Sequence, residues 1–371
     1  MGSSSRRSAR SRRRLYGALA VAGAALAAPA VAHALIQRRL RTPRAPGWGR
    51  THRFAGHFGP VVFQELGAGP AVVLLHAFGP GFDGCQWQAV AEALASRFRV
   101  LAPDLPGWGR SAALEPRPQA YLACLADFLA GVIWGRAVLV AAGHAAPYAI
   151  HLAAECSALV RGLALVAPLG LPTGDAGHHE NAGHAGPAQA GPAVPMPAGG
   201  EAPPGVEPEL PAPAAARPPA DPASADGVAS SLVAQLMAVP MLRISVLDAL
   251  TSRAVLGSYL RNHAYAAGER VDAALLEHHY RVSHLPAHRL ALAAYWRGDL
   301  DLPAAAALRD LQIPVWIGLG GEDAASRPGA GALPPGSQVE VFEGTRALPH
   351  AEKPVAVGKA LGRFLDQLPP A

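Results

Sequence analysis

Residues 46–171 alternate short, continuous apolar runs with longer stretches whose apolar residues recur at helical spacing. The apolar runs predict strands at 59–67, 71–76, 99–104, 137–141 and 160–168. The stretches between them predict helices at 86–98, 121–133 and 147–158. Continuously apolar strands joined by helices are typical of parallel sheets that are buried on both faces. The pattern therefore predicts an α/β core, with a mostly parallel sheet flanked by helices.

The pattern changes after residue 171. Residues 172–228 consist of Ala, Pro and Gly for about two-thirds of their length, which predicts a disordered Ala/Pro/Gly-rich insertion. Residues 229–304 show amphipathic helical periodicity, and the alternating pattern then returns over 305–371. The later strands are predicted at 313–320 and 338–344, and the last helix at 355–365. We expect 46–171 and 305–371 to form one core. We expect 229–304 to be a helical cap over the carboxyl ends of its strands, where open α/β sheets bind ligands.

The basic N-terminal segment, residues 1–45, stands apart from this core. Leu15 to Ile36 is a run of 22 residues without a formal charge. As a helix it would span about 30 Å of hydrocarbon. Basic residues precede the run, which favours a cytoplasmic N-terminus, and residues 30–34 offer A-x-A cleavage patterns. Two interpretations stay open: a signal anchor that holds the following domain at the membrane outside the cytoplasm, or an export signal that is cleaved.

The formal net charge is +5, but arginines beside the N-terminal apolar run account for this excess. They are Arg6, Arg7, Arg10, Arg12, Arg13, Arg14, Arg38, Arg39 and Arg41. Because no basic patch follows in the rest of the chain, the sequence predicts no nucleic-acid partner. It indicates no particular oligomeric state.

Cysteine and histidine patterns give no predicted metal site. Cys85, Cys124 and Cys156 lack metal or disulfide spacing, so we expect small buried side chains. If the chain is exported, one disulfide among them stays an open alternative. His178, His179 and His184 lie in the predicted insertion, where no strand or helix would fix ligand geometry.

A glycine-rich loop follows the strand predicted at 71–76. Gly79, Gly81 and Gly84 form a literal G-x-G-x-x-G, and Asp104 ends the next strand, near the place of a ribose-binding acid. However, the helix is predicted to begin only after Gly84, whereas a phosphate needs the turn and the helix N-terminus together. A nucleotide-binding oxidoreductase is therefore a minor alternative, and we expect no cofactor.

The same loop matches another pattern better. His76-Ala77-Phe78-Gly79 resembles the H-G-x-G loop that follows the third strand of α/β-hydrolases. Residues 104–111, DLPGWGRS, resemble the D-x-x-G-x-G-x-S turn of that family. The resemblance to the α/β-hydrolase fold extends over 55–170 and 230–368, and the cap is similar to that of membrane-anchored bacterial members. It implies a serine nucleophile, a histidine base, an acid and two backbone N–H groups that hold an oxyanion.

The stretch LVAAGHAAPY, residues 139–148, lies where this resemblance puts the nucleophile elbow, yet it contains no Ser, Cys or Asp. Aligned on its flanks, it has Gly143 at the serine position; a second alignment gives Ala145, and we prefer the first. The N–H of His144 would then form half of the oxyanion hole, with Ala77 or Phe78 supplying the other half. An elbow holds its nucleophile at positive φ, so glycine would relax the turn and keep its path.

The resemblance also places the acid and the base. Gly320-Gly321-Glu322-Asp323 resembles the family's G-x-x-D and gives Asp323 the acid position. EGTRALPHAEKP resembles G-x-x-H-x-P-H-x-E-x-P, which gives Ala347 the base position and His350 the place of the second histidine. Cys85 offers another nucleophile, but the sequence puts no base beside it.

Two functional hypotheses follow. We expect an α/β-hydrolase-family protein that lacks serine-hydrolase activity, because Gly143 and Ala347 replace the nucleophile and the base, and that binds a small apolar ligand under the cap. The alternative is an active hydrolase of esters or related small apolar substrates, which would use Asp323 with His350 or His144. Enzyme status stays open at this point.

Overall fold

The computed structural model describes residues 48–171, 235–323 and 326–369. The predicted anchor or export signal within 1–45 and the predicted insertion at 172–228 lie outside the described residues. Over the described ranges, every helix is too short or too polar to cross a membrane.

An eight-stranded sheet forms the centre of the molecule. Its strands are β1 (Arg50–Gly56), β2 (Gly59–Leu66), β3 (Ala71–Leu75), β4 (Arg99–Pro103), β5 (Ala137–Ala142), β6 (Val160–Val166), β7 (Val315–Gly320) and β8 (Gln338–Phe342). The spatial order is β1-β2-β4-β3-β5-β6-β7-β8. β2 is antiparallel to β1 and β4, and the other neighbouring strands are parallel. The predicted mostly parallel sheet is confirmed.

Helices cover both faces of the sheet. Those of the core are α1 (Gln88–Leu94), α2 (Pro118–Val132), α3 (Ala146–Glu155), α9 (Pro349–Glu352) and α10 (Pro354–Asp366). Successive strand residues point to opposite faces, and both sets are apolar here. Val72 belongs to the buried cluster that contains Leu94 of α1 and Phe364 of α10. Val73 belongs to the cluster on the other face, with Phe128 of α2. This two-sided burial explains the continuous apolar runs in the sequence.

A helical segment interrupts the core between β6 and β7, where the cap was predicted. Its described helices are α4 (Pro240–Leu250), α5 (Arg253–Tyr259), α6 (Ala273–Ser283), α7 (Pro286–Arg297) and α8 (Ala305–Arg309). Hydrogen bonds hold this segment on the core, and they include two that join backbone N–H groups to buried side chains. The Gly81 N–H donates to Nε2 of His288 at 3.2 Å, and the Ala266 N–H donates to Oε2 of Glu352 at 2.8 Å.

Candidate functional site

The predicted site positions follow strands whose carboxyl ends meet at one edge of the sheet. Gly143 directly follows β5, and Asp323 follows β7 after a two-residue turn. The loop after β7 and the loop after β8 are held together, because the Glu322 N–H donates to the Thr345 carbonyl oxygen at 3.0 Å. Ala347 lies two residues beyond Thr345. The predicted acid and base positions therefore occupy adjacent loops.

Gly143 stands at the sharp turn from β5 into α3. Its φ is +54°, in the left-handed region that glycine adopts freely and other residues enter only with strain. A Cβ placed on Gly143 would lie 3.1 Å from the Cβ of Ala77, closer than two methyl groups pack without adjustment. The chain thus keeps an elbow-like backbone at the position predicted for the nucleophile, and the Ala77 methyl crowds the space beside it.

One of the predicted oxyanion-hole N–H groups, that of Ala77, is engaged within the protein, and the side chains of the other two residues make aromatic contacts. The Ala77 N–H donates to Oε1 of Gln86 at 3.1 Å. The Phe78 ring is buried and stacks on Trp108, with ring centroids 5.1 Å apart. The His144 ring packs edge-on against Tyr295 of α7, at 4.9 Å between centroids. Aromatic side chains of the core and of the inserted segment therefore surround the turn.

His350, predicted as an alternative base, is completely buried, and its pairing with Asp323 stays a prediction. Its ring stacks on Trp87 with centroids 4.1 Å apart, and neither ring nitrogen has a hydrogen-bond partner among the described residues. Burial lowers the pKa of His350 to about 3, so the ring is neutral near pH 7. Asp323 is itself almost buried, and its N–H donates to the Gly320 carbonyl oxygen at 3.2 Å.

The loop that carries G-x-G-x-x-G uses its backbone donors internally. The Gly81 N–H donates to His288, as described above, and the Gly84 N–H donates to Oδ1 of Asp104 at 3.0 Å. The other oxygen of Asp104 accepts from Nε of Arg110 at 2.9 Å. A phosphate at this loop would have to displace these hydrogen bonds. The Asp104 carboxylate already stabilises the turn at 104–111.

Three potential metal-ligating side chains come together beside this loop. Asp83 Oδ1 lies 3.2 Å from Nε2 of His278 on α6, and one ligand atom each from Asp83, Cys85 and His278 fall within 4.8 Å of one another. Burial opposes ionisation of Asp83, but the imidazole of His278 holds the pKa of that carboxyl well below its usual range. Burial and the nearby Asp83 and Asp104 carboxylates raise the pKa of the Cys85 thiol. Because the thiolate is the nucleophilic form, these surroundings do not activate Cys85.

A cavity of about 310 Å³ adjoins this cluster, between the loop after β3, the inserted segment and α9. The lining residues are Gly81, Asp83, Cys85, Gln86, Gln88, Ala89, Tyr265, Arg270, Leu275, His278, His279, His350 and Ala351. The sequence analysis considered Cys85 and His350 but missed Asp83 and His278. The D-x-C spacing is visible in the sequence, whereas its partner lies 195 residues away from Asp83 and is brought near only by folding.

Comparisons with known proteins agree with the fold. The sequence profile described as the α/β-hydrolase fold matches residues 70–188. The structure resembles the epoxide hydrolase CorEH with a TM-score of 0.61 and 16% identity, over 85% of this chain and 98% of that one. It resembles an esterase from Thermogutta terrifontis with a TM-score of 0.58 and 18% identity, over 86% and 99%. At these identities the likeness concerns the fold alone.

Curated relatives match shorter stretches. A pimeloyl-[acyl-carrier protein] methyl ester esterase of Chromobacterium violaceum is 42% identical over 104 residues, which are 28% of this chain and 39% of that protein. One of Aeromonas hydrophila is 47% identical over 51 residues, or 14% of this chain and 19% of that protein. The chain therefore spans less than half the length of either relative. Strand order, inserted helices and the matching profile together show that the chain has the α/β-hydrolase fold.

Proposed function

We propose that this chain is a non-catalytic member of the superfamily with respect to serine-based acyl transfer, and that it binds a small, mainly apolar ligand beneath the inserted helices. The observation that carries the proposal is the pairing of Gly143 with Ala77. No hydroxyl projects from the elbow, and the Ala77 methyl crowds the space into which one would project.

The surroundings of the elbow support the same conclusion. A serine mechanism needs a base within hydrogen-bond reach of the nucleophile and N–H groups free to hold the oxyanion. Ala347 brings no titratable group to the predicted base position. The Ala77 N–H is taken by Gln86, and the ring of His350 is held against Trp87. The nucleophile and the base are missing, and one predicted oxyanion donor is used within the protein.

The ligand is proposed for the cavity of about 310 Å³, a volume at the lower end of the range for small-molecule sites. Its walls combine apolar groups such as Ala89 and Leu275 with a few polar side chains, among them Gln86 and Arg270. Pockets of this mixed kind hold an apolar molecule and fix its orientation through one polar end. The curated esterases act on an acyl ester, so a short acyl ester is the first probe for this chain.

The catalytic part of the proposal is tested with the full chain, a fluorophosphonate probe and short-chain p-nitrophenyl esters. We expect no covalent labelling and no turnover above the background of heat-denatured protein. Turnover that is lost in Asp323→Asn but kept in Asp310→Asn, a matched change at an exposed turn, would overturn the proposal in favour of an active hydrolase.

The binding part is tested with methyl hexanoate, followed by the thermal unfolding temperature. We expect a saturable rise in that temperature, because a ligand that binds only the folded state stabilises it. Leu275→Trp should fill the cavity and abolish the rise. Leu290→Trp, at an exposed position on α7, should leave it in place. Equal responses from both variants would refute binding in this cavity.

A further inference from the structure

We propose that Asp83, Cys85 and His278 form a site for one divalent zinc ion, whose open coordination position faces the cavity. This goes beyond the proposed function, since the ion would bind through side chains that lie apart from the elbow. The sequence analysis expected no metal site, and these three residues come together only in the fold.

The donor set suits zinc. Zinc takes thiolate, imidazole and carboxylate ligands, and three protein ligands with one open position are typical of sites that bind an exogenous ligand. Ligand atoms at about 2.0–2.3 Å from a tetrahedral ion lie about 3.3–3.8 Å from one another. Asp83 Oδ1 and His278 Nε2 are already 3.2 Å apart, and the whole set lies within 4.8 Å. The most widely spaced pair would therefore have to close by at most about 1.5 Å to reach this spacing.

Charge balance supports the same site. Asp104 forms an ion pair with Arg110, whose Nε lies 2.9 Å from its carboxylate. The buried Asp83 pairs instead with His278, among the described residues, and the charge of that histidine depends on its protonation. A dication bound to one carboxylate, one thiolate and one neutral imidazole has no net charge, which suits a buried position. On binding, the Cys85 thiol releases its proton to solvent and its sulfur pair forms the bond to zinc.

The local backbone also prepares the ligands. Asp83 is the N-cap of the short 3₁₀ turn Gly84–Trp87, and its Oδ1 accepts from the Cys85 N–H at 3.0 Å. This bond fixes the carboxylate beside the cysteine, as groups around metal ligands commonly do. His350, which is fully buried, lies beside the same cavity.

Cobalt substitution tests the proposal on the full chain after removal of bound metals with a chelator. One equivalent of Co²⁺ should give the visible bands of tetrahedral cobalt and a near-ultraviolet thiolate-to-cobalt band, and Zn²⁺ should displace both. Cys85→Ser should abolish the thiolate band. His278→Gln should weaken binding at least about tenfold. Circular dichroism spectra that match the unsubstituted chain show that each variant is folded.

Controls separate this site from other donors. Cys156→Ser should retain the full signal, and so should the triple variant His178→Gln, His179→Gln and His184→Gln, which removes the histidine tract. Absence of a thiolate band, its persistence in Cys85→Ser or its loss in the triple variant would each overturn the proposal. Labelling by fluorophosphonate would overturn the non-catalytic assignment and leave the metal result unaffected, so the two failures are distinguishable.

Discussion

The methyl group of Ala77 and the missing side chain of Gly143 share one space, since a Cβ on Gly143 would lie 3.1 Å from the Cβ of Ala77. The α/β-hydrolase pattern has a glycine where this chain has Ala77 and a serine where it has Gly143. Relative to that pattern, the loop after β3 has gained a side chain at Ala77, and the turn after β5 has lost one at Gly143. The two positions should be energetically coupled.

A double-mutant cycle measures this coupling. Gly143→Ala should lower the free energy of unfolding by about 1–3 kcal/mol, because alanine is strained at positive φ and its methyl meets Ala77. Ala77→Gly removes that contact, so the double variant should be more stable than the sum of the single changes predicts, by about 1 kcal/mol. Urea unfolding of the four proteins provides the numbers. Strict additivity would mean that the two side chains do not compete for space.

The exchange also predicts how chemistry could be restored. Gly143→Ser alone should stay inert towards fluorophosphonate, because the new hydroxyl has neither room nor a base. Combining it with Ala77→Gly and Ala347→His should raise the labelling rate by about 100-fold, a usual contribution of a positioned base. In-gel fluorescence follows the reaction. If the combination without Ala77→Gly labels equally fast, the space beside Ala77 is unimportant.

His350 should make the protein sensitive to acid. Burial lowers its pKa from the ordinary value of 6.5 to about 3. Between these values the unfolded chain binds a proton that the folded chain does not. Stability therefore falls as the pH drops below about 6.5, by up to about 1.4 kcal/mol per pH unit. His350→Phe keeps a ring against Trp87 without titrating, so the slope of unfolding free energy against pH should decrease by that amount.

Urea unfolding at several pH values between about 4 and 6.5 measures this slope. Burial also lowers the pKa of His279 to about 4 and of His288 to about 3, so part of the acid sensitivity should remain in His350→Phe. An unaltered slope in His350→Phe would show that the ring is protonated in the folded state.

The hydrogen bonds of Glu352 should contribute strongly to holding the inserted helices on the core. Its buried carboxylate accepts from the N–H groups of Arg346 at 2.7 Å, Ala266 at 2.8 Å and Ala267 at 3.4 Å. Glu352→Ala leaves these donors unpaired and should cost about 2–4 kcal/mol, with faster amide hydrogen exchange at the same three residues. Glu340→Ala, which removes an exposed ion pair with Arg363, should cost less than about 1 kcal/mol. Similar costs for both would contradict this role.

The G-x-G-x-x-G loop should not bind a dinucleotide. The Gly81 and Gly84 N–H groups already donate to His288 and Asp104. Fluorescence titration with NADH should therefore show no saturable binding. Saturable binding that Gly84→Ala weakens and Gly331→Ala leaves intact would contradict this expectation. Gly331 is the matched control, because it lacks positive φ, as Gly84 does, and a methyl group there meets no neighbouring atom.

Most strands of the core could be predicted from the sequence, because burial on both faces leaves a continuous apolar run, as in β3 and β5. β1 was missed. Its sequence RTHRFAG carries charged and exposed residues, since it lies at the edge of the sheet and pairs only with β2. Backbone hydrogen bonds to β2, across a short turn, form this strand. Such pairing does not require an apolar sequence pattern.

Only part of the candidate site could be predicted from the sequence. Asp323 and Ala347 were located through local motifs, and the folded loops lie side by side. Their catalytic roles stay predictions. The contact of Asp83 with His278 could not be anticipated, because it depends on where an inserted helix settles on the core. The same is true of the stacking of His350 on Trp87.

The hydrogen bonds between the inserted segment and the core limit how this segment can move. The contacts of this segment with the core include those of His278 with Asp83, of His288 with Gly81 and of Ala266 with Glu352. A segment held at several separate points does not swing open on a single hinge. We expect the rate at which small molecules enter and leave the cavity to depend on the contacts beside it. Loosening the contact of His278 with Asp83 would speed exchange without moving the elbow at Gly143.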